Sequence, residues 1–443
     1  MNFVRPQAIS RGGVNRVPAG PVCVVSQCPM TFGDLVIRSV RPVGAMERLF
    51  YRYSERNPAH FLLVAEFGEV LTADRLRPAL AAAQRRHPLL SVHVEDRPGS
   101  RLGFYRAATD APIELTVRRG QEWAAAAAEE LSRPFDRSRA PLMRASLLQG
   151  PGSSALLLTF DHTIADGMSS VFVLNDVLAA LNGRDLPNLL VPQAQERVVD
   201  RTLGTVEPFD PSELPADPRM RTPTTIRPFD GALTNVHALA MTAADTAGLV
   251  ERCRAERTTV HAAMVVAMCR VRSTGRGEDF VRVLNPINFR ALVGVEEDCG
   301  LYIQSTWTGL SPWDGAPFWE QARATTAHLE AARSGRGILT ASLAVREAMA
   351  VDAEVGHAEE LFSRTCPFDM LISNLGVQNL DGTGPLRPTA VWGPVVQSQT
   401  EGEYVTGIAT YEGRLRMVTC GYSVPATFLK SVGAALAAAV DEP

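Results

Sequence analysis

The chain has 443 residues, 46% hydrophobic and 21% charged, with 44 basic against 48 acidic residues and a net charge of −4. This composition excludes a disordered chain, and the lack of any lysine or arginine block excludes nucleic acid as an expected partner. The cysteines at 23, 28, 253, 269, 299, 366 and 420 are odd in number and never form Cys-x-x-Cys, so neither a metal site nor a disulfide framework is expected. No stretch approaches the roughly 18 apolar residues of a membrane span, and the N-terminus lacks an apolar signal core, so a cytoplasmic protein is expected. The length suits two or three ordinary domains or one duplicated architecture.

Residues 1–33 are rich in Gly, Pro and Arg without periodicity and read as a disordered extension. Val36 to Val40 then predicts a strand, Ala45 to Arg56 a helix, and His60 to Phe67 a strand. Thr72 caps a helix that ends at His87-Pro88. Leu89 to Glu95, Leu102 to Arg106 and Ile113 to Arg118 predict short strands, and Gln121 to Arg133 an alanine-rich helix. Pro141 to Gln149 predicts a strand that leads through Gly150-Pro151-Gly152 into the next.

That next stretch, Ser154 to Met168, organises the rest. Leu156 to Phe160 is apolar apart from Thr159 and too short for a helix, so it predicts a strand buried on both faces. After Gly167, apolar residues recur at Val171, Leu174, Leu178 and Leu181, the spacing of one helical face, and Gly183 ends the pattern. His162 and Asp166 therefore stand on a loop between a buried strand and a helix. Imidazole, with an ordinary pKa of about 6.5, can accept a proton near neutral pH, which is what a general base needs. Asp166, four residues on, is placed to orient the ring or to hold the loop.

Eight prolines between Pro187 and Pro228, with little periodicity, mark the best boundary in the chain. Beyond it, Thr234 to Met241 and Phe280 to Asn288 predict strands, and Ala243 to Ala255 and Thr259 to Val271 helices. A helical block runs from Trp313 to Phe362. Phe368 to Ser373 predicts a short strand ending in Ser373-Asn374-Leu375-Gly376. Val391 to Gln399, Tyr404 to Tyr411 and Leu415 to Tyr422 predict an antiparallel meander, and Pro425 to Val440 a closing helix. Two halves of similar size and element mix suggest a duplicated mixed α+β fold with a cleft between them.

At Asp161-His162-Thr163-Ile164-Ala165-Asp166-Gly167 the chain resembles the His-His-x-x-x-Asp-Gly motif of the acyltransferase superfamily. That superfamily includes peptide condensation domains, chloramphenicol acetyltransferase, plant BAHD acyltransferases and polyketide-associated (Pap) proteins, and the chain looks most like the Pap type. Met46-Glu47-Arg48, Arg86-His87-Pro88-Leu89-Leu90, Asn285-Pro286-Ile287-Asn288-Phe289-Arg290 and Ser373-Asn374-Leu375-Gly376 carry the likeness in the family's order, across residues 36–425. The chain departs from the motif at its first histidine, which is Asp161.

The resemblance implies two acetyltransferase-like halves, at 34–200 and 231–443, joined by a Pro-rich linker at 201–230, with a tunnel between them. It implies His162 as the general base for attack of an alcohol or amine on a thioester carbonyl, with the Gly167 N–H as a donor to the oxyanion. Asp166 is structural by the same likeness and pairs with Arg290; Ser373 and Asn374 line the cleft. The expectation is an O-acyltransferase that moves an acyl group from a thioester, on coenzyme A or an acyl carrier protein, to a hydroxyl of a lipid, polyketide or glycosylated natural product. No metal and no permanently bound cofactor is implied, and a monomer suffices to build the site. An amide-forming enzyme and a catalytically silent homologue that binds a carrier protein are the alternatives. On residues alone, His87 and His261 read as structural histidines, Cys299 and Cys366 as packing, and Trp392 and Tyr404 as core aromatics or tunnel lining.

Overall fold

The computed structural model describes residues 31–32, 35–36, 38–96, 102–106, 111–210, 217–380 and 384–442. Apart from Thr31–Phe32, the extension expected at residues 1–33 lies outside them, as do Cys23 and Cys28. The chain begins with β1 (Thr31–Phe32), β2 (Leu35–Val36), β3 (Arg38–Pro42), α1 (Ala45–Tyr53), β4 (His60–Phe67) and α2 (Ala73–Arg86). Next come β5 (His93–Glu95), β6 (Gly103–Arg106), β7 (Glu114–Arg119), α3 (Trp123–Leu131), β8 (Met143–Gln149), β9 (Ser154–Asp161), α4 (Gly167–Leu181) and α5 (Gln195–Leu203). The remainder opens with β10 (Asn235–Ala240), α6 (Ala243–Ala255), α7 (Val260–Arg276), β11 (Val281–Asn288), α8 (Arg290–Val293) and β12 (Ile303–Leu310). It continues through α9 (Phe318–Arg333), α10 (Gly335–Ala348), α11 (Val355–Glu360), β13 (Met370–Val377), β14 (Ala390–Val396), β15 (Tyr404–Tyr411), β16 (Arg414–Gly421) and α12 (Phe428–Asp441).

Two large mixed sheets carry the fold, in the orders β14-β4-β9-β8-β7 and β10-β16-β15-β13-β11-β12. In β9 all eight residues are buried, which is why its sequence is apolar without alternation. Leu156, Leu158 and Phe160 pack in one core with Leu76, Leu80, Leu174 and Leu178 of α2 and α4. Leu157 turns the other way, into a core shared with Ala126 and Ala127 of α3 and with Val405 and Val418 of the second sheet. The second sheet rests one face on α7, α9 and α12, through Val283, Ile372 and Ile408 against Val265, Trp319 and Val432. Its other face is left to meet the first half.

Three expectations need correction, and one strand is additional to them. Val391 to Gln399 does not join a meander with β15 and β16: β14 pairs antiparallel with β4, Val396 opposite Phe61, and so completes the first sheet. To get there it passes over β15 at Gly407, where a Cβ would overlap the Pro394 carbonyl oxygen. The Pro-rich stretch is not structureless, because α5 spans the expected boundary at residue 200. Its Val198, Val199 and Leu203 are buried against Ile287, Phe289, Val293 and Tyr302 of the second half. Leu89 to Glu95 opens with a 3₁₀ turn over Pro88–Ser91, leaving only His93–Glu95 as strand. Ile303–Leu310, unassigned in sequence, is an edge strand of the second sheet; its Gln-Ser-Thr-Trp-Thr run lacks the apolar alternation that marks a strand in sequence.

The crossing at Gly407 generates a stability prediction. Gly407→Ala is expected to lower the melting temperature by several degrees, whereas Gly248→Ala, on an open face of α6 with nothing near a Cβ, should be neutral or raise it slightly. Equal effects in calorimetry would contradict the close approach.

Candidate functional site

His162 follows β9 directly, and its loop is tied at both ends by aspartates. Its N–H donates to the Ala59 carbonyl at 3.2 Å. Asp161 is buried and its Oδ1 accepts from the Thr163 N–H at 2.9 Å, closing the turn around the histidine. Asp161 therefore has a main-chain role where the motif carries its first histidine. Asp166 caps α4, accepting from the Ser169 N–H at 2.9 Å.

The rest of the Asp166 carboxylate belongs to the other half. Oδ2 accepts from Arg290 Nη1 at 2.7 Å and from the Tyr302 N–H at 2.9 Å, and Oδ1 also accepts from Ser169 Oγ at 3.0 Å. Arg290 Nη2 donates to Ser169 Oγ and to the Gly300 carbonyl, both at 3.0 Å. Both ionic side chains are shut from solvent, at 4% and 0% exposure, so the pair stands or falls together. Burial pushes the Asp166 carboxyl up, but the Arg290 charge and its hydrogen bond, with the Tyr302 and Ser169 amides, hold it below the usual range. With its oxygens committed in this way, Asp166 holds the loop and does not orient the imidazole.

A cavity of about 370 Å³ opens where the halves meet. His162, Gly167, Ser373 and Asn374 line it, with Phe50 of α1, Trp307 of β12 and Leu375. Asp161, Asp166 and Arg290 stand behind this wall. The His162 ring lies flat on Phe50, centroids 3.9 Å apart and planes 5° from parallel, while Phe61 tilts against it at 4.9 Å. Nδ1 is enclosed and makes no hydrogen bond. Burial drives the imidazole below its ordinary pKa, opposed in part by the charges of Asp166 and Asp161, so the ring is neutral at neutral pH.

Gly167 begins α4, and its N–H is one of the first-turn amides with no acceptor inside the helix. A Cβ here would lie 2.8 Å from Leu375 Cδ2, so any larger residue would push on that side chain. Ser373 and Asn374 are not in a turn: they sit in β13, which runs on to Val377 through an irregularity after Asn374. Asn374 Oδ1 accepts from the Gly376 N–H at 2.8 Å.

Several side chains bear out the structural readings. His87 Nε2 meets Asp176 at 2.7 Å, and His261 Nε2 meets Asn285 Oδ1 at 2.9 Å. Cys299 and Cys366 are buried, and burial pushes both thiols up, away from a reactive thiolate. Trp392 packs on Trp123 and Tyr404 on Phe428, away from the cavity wall. Among the described residues no cluster of His, Cys, Asp and Glu is arranged to hold a metal, and no helix is long and apolar enough to cross a membrane.

Sequence reasoning missed Phe50 and Phe61, which look like any core aromatics, and the segment after β14. There Gln397 and Ser398 line the cavity, and buried Glu403 accepts from the Ser398 and Gln399 N–H groups at 3.0 and 2.9 Å. Tyr53 of α1 donates to the Ser398 carbonyl at 2.5 Å. Burial pushes the Glu403 carboxyl up to about 7, against the lowering effect of the Ser398, Thr400 and Gln399 amides.

Residues 45–198 match the condensation domain family. Phosphinothricin tripeptide synthetase PhsC of Streptomyces viridochromogenes is 36% identical over 126 residues, 27% of this chain and 12% of that protein. One of the plipastatin synthase proteins of Bacillus subtilis is 25% identical over 272 residues, 58% of this chain and 10% of that protein. The matches thus span about a tenth of these relatives' own length. Polyketide synthase associated protein 5 from Mycobacterium tuberculosis superposes with a TM-score of 0.66 at 16% identity, covering 91% of this chain and 99% of that one. The condensation domain of Monacolin K polyketide synthase MokA superposes with a TM-score of 0.64 at 13% identity, covering 92% and 98%. The protein has the condensation-domain fold, with a condensation-domain sequence signature in its first half.

Two variants test the site's supports. Asp166→Ala is expected to cost about 3–5 kcal/mol in denaturant unfolding, because it leaves Arg290 buried and unpaired. Arg290→Ala should cost a similar amount and the double variant much less than the sum, whereas simple additivity would show the two do not act as a pair. For Glu403, the folded chain keeps a proton that the unfolded chain releases near the ordinary carboxyl value. Stability therefore falls as pH rises from there to about 7 and levels off above. Glu403→Gln is expected to flatten that slope; an unchanged difference in melting temperature between pH 5 and pH 8 would contradict it.

Proposed function

We propose that the protein is an acyltransferase that moves an acyl group from a thioester, on coenzyme A or an acyl carrier protein, to a hydroxyl of a lipid, polyketide or glycosylated natural product. The observation that carries this reading is a neutral, half-buried imidazole on the wall of an apolar cavity, beside the free amide of a helix N-terminus. The condensation-domain signature and fold support acyl transfer as the reaction class.

In this mechanism His162 Nε2, across the ring from the enclosed Nδ1, takes the hydroxyl proton as the oxygen attacks the thioester carbonyl. The C–O bond forms while the carbonyl oxygen gains negative charge, and the Gly167 N–H at the positive end of α4 stabilises that charge. Collapse of the tetrahedral centre breaks the C–S bond, and the proton on the imidazole passes to the departing thiolate. Ester and free thiol are the products. No covalent enzyme intermediate and no bound cofactor takes part.

An amide-forming version of the same chemistry is the second reading, favoured by a relative named as a tripeptide synthetase. Paired alcohol and amine acceptors separate the two, since exclusive use of amines would replace the ester-forming proposal.

Thiol release from acyl-CoA donors of short and long chain tests the central claim. His162→Ala is expected to lose about 10²–10⁴-fold in rate. The wild-type kcat/KM should rise with pH on one group below the usual histidine value and stay level through neutral pH. A folded His162→Ala variant with the wild-type rate would end the assignment of the base.

A further inference from the structure

A buried polar atom with no partner is costly, so its position on a cavity wall carries information about what the cavity takes. Gln397 is 3% exposed, lines the cavity, and its Nε2 has no hydrogen-bond partner. Gln304 also has an unpartnered Nε2 and borders the cavity, but it shares its face of β12 with Thr306 and Thr308, which meet His328 and Asn285. Its side chain therefore turns toward the helices, while Ile303, Ser305 and Trp307 face the cavity.

The ladder fixes where Gln397 stands relative to His162. Val396 pairs with Phe61 on one side of β4, and Asp161 pairs with His60 on the other. Gln397 and His162 are the next residues along these two flanking strands, so they leave the sheet at the same end of β4. Two strand spacings separate them, roughly 10 Å from backbone to backbone. Both residues border the cavity, so a ligand held in it lies between the two strand ends. The segment is also held rigidly: Glu403 binds the next two amides, and Tyr53 binds the Ser398 carbonyl. A donor fixed before the ligand arrives costs little to use.

We infer that the Gln397 carboxamide is a second hydrogen-bond donor, besides the Gly167 N–H, to the carbonyl oxygen of the acyl thioester, reaching it from the strand end across β4 from His162. This rests on the thioester reading above. It gives a largely apolar cavity a polar contact that selects a carbonyl over a methylene. Occupancy by the carbonyl oxygen also satisfies the orphaned amide.

Calorimetric titration with octanoyl-CoA and with its carbonyl-free thioether, S-octyl-CoA, in the absence of acceptor, tests the inference. Wild type is expected to bind octanoyl-CoA about tenfold more tightly than S-octyl-CoA. Gln397→Met, of similar length and without a donor, should bind the two equally while keeping wild-type affinity for S-octyl-CoA, which reports an intact cavity. Gln397→Glu, which keeps the shape and loses the N–H, should lose the discrimination as well. Equal binding by wild type, or tenfold discrimination retained in both variants, overturns the role of Gln397 and leaves the thioester reading standing. Binding by wild type of neither probe, nor of the same octanoyl and S-octyl groups carried on the phosphopantetheine of an acyl carrier protein, overturns the thioester reading and the inference with it.

Discussion

The Asp166–Arg290 ion pair is the constraint on which the rest depends. It joins the loop after β9 to the start of α8, 124 residues later, at a point closed to water. Taking two charges out of water is expensive, and the site offsets that with the amide and hydroxyl of Ser169, the Tyr302 amide and the Gly300 carbonyl. The result is a fixed relation between the first half's histidine loop and the second half's strand ends. Since Asp166 is fully engaged there, it has no oxygen to spare for the imidazole. The histidine is left in an apolar setting, and burial rather than a charge partner decides its protonation.

Two further exchanges of chain reinforce that relation. The second half lends β14 to the first sheet, and α5, which follows directly on the first half, packs its apolar face on second-half residues. The cavity wall is consequently composite: α1 and the His162 loop on one side, β11, β12 and β13 on another, and the segment after β14 closing between them. Tyr53 reaching the Ser398 carbonyl ties this closing segment back to α1. Movement of one half against the other would break the ion pair, this hydrogen bond and the β14 ladder together.

What could be read in the sequence followed from local rules. β4, α6 and β15 are recovered residue for residue, and β9, α2 and α12 nearly so, because burial on both faces, helical periodicity or a capping threonine marks them in short windows. His162 and Asp166 stand out from the strand–loop–helix pattern and Arg290 only through the family likeness, and the geometry pairs Asp166 with Arg290 beside the His162 loop. What stayed hidden was long-range. Nothing in Val391–Val396 says that it pairs with β4 rather than with β15, since a strand's pattern specifies burial and not partner. The pattern at Val198, Val199 and Leu203 was obscured by surrounding prolines. Gln397 and Glu403 carry no motif at all; their meaning comes from burial without enough partners, which only coordinates reveal.

The packing of His162 has a consequence for its tautomer. Phe50 covers one face of the ring and Phe61 tilts against it, so the imidazole is oriented by contact rather than by a carboxylate. For Nε2 to accept a proton, the ring's own hydrogen must sit on Nδ1, the enclosed nitrogen. No partner of ordinary hydrogen-bond geometry holds it there, but the main-chain carbonyls of His162 itself and of Ala165 act on the ring in the direction that favours a bound proton. Main-chain dipoles thus stand near the ring where a serine-protease triad has an aspartate. A dipole bias is weaker than a carboxylate's, and it leaves the imidazolium less stabilised. In the proposed reaction such a ring would be a weak base, taking a proton only as the tetrahedral centre forms and releasing it to the departing thiolate within the same turnover.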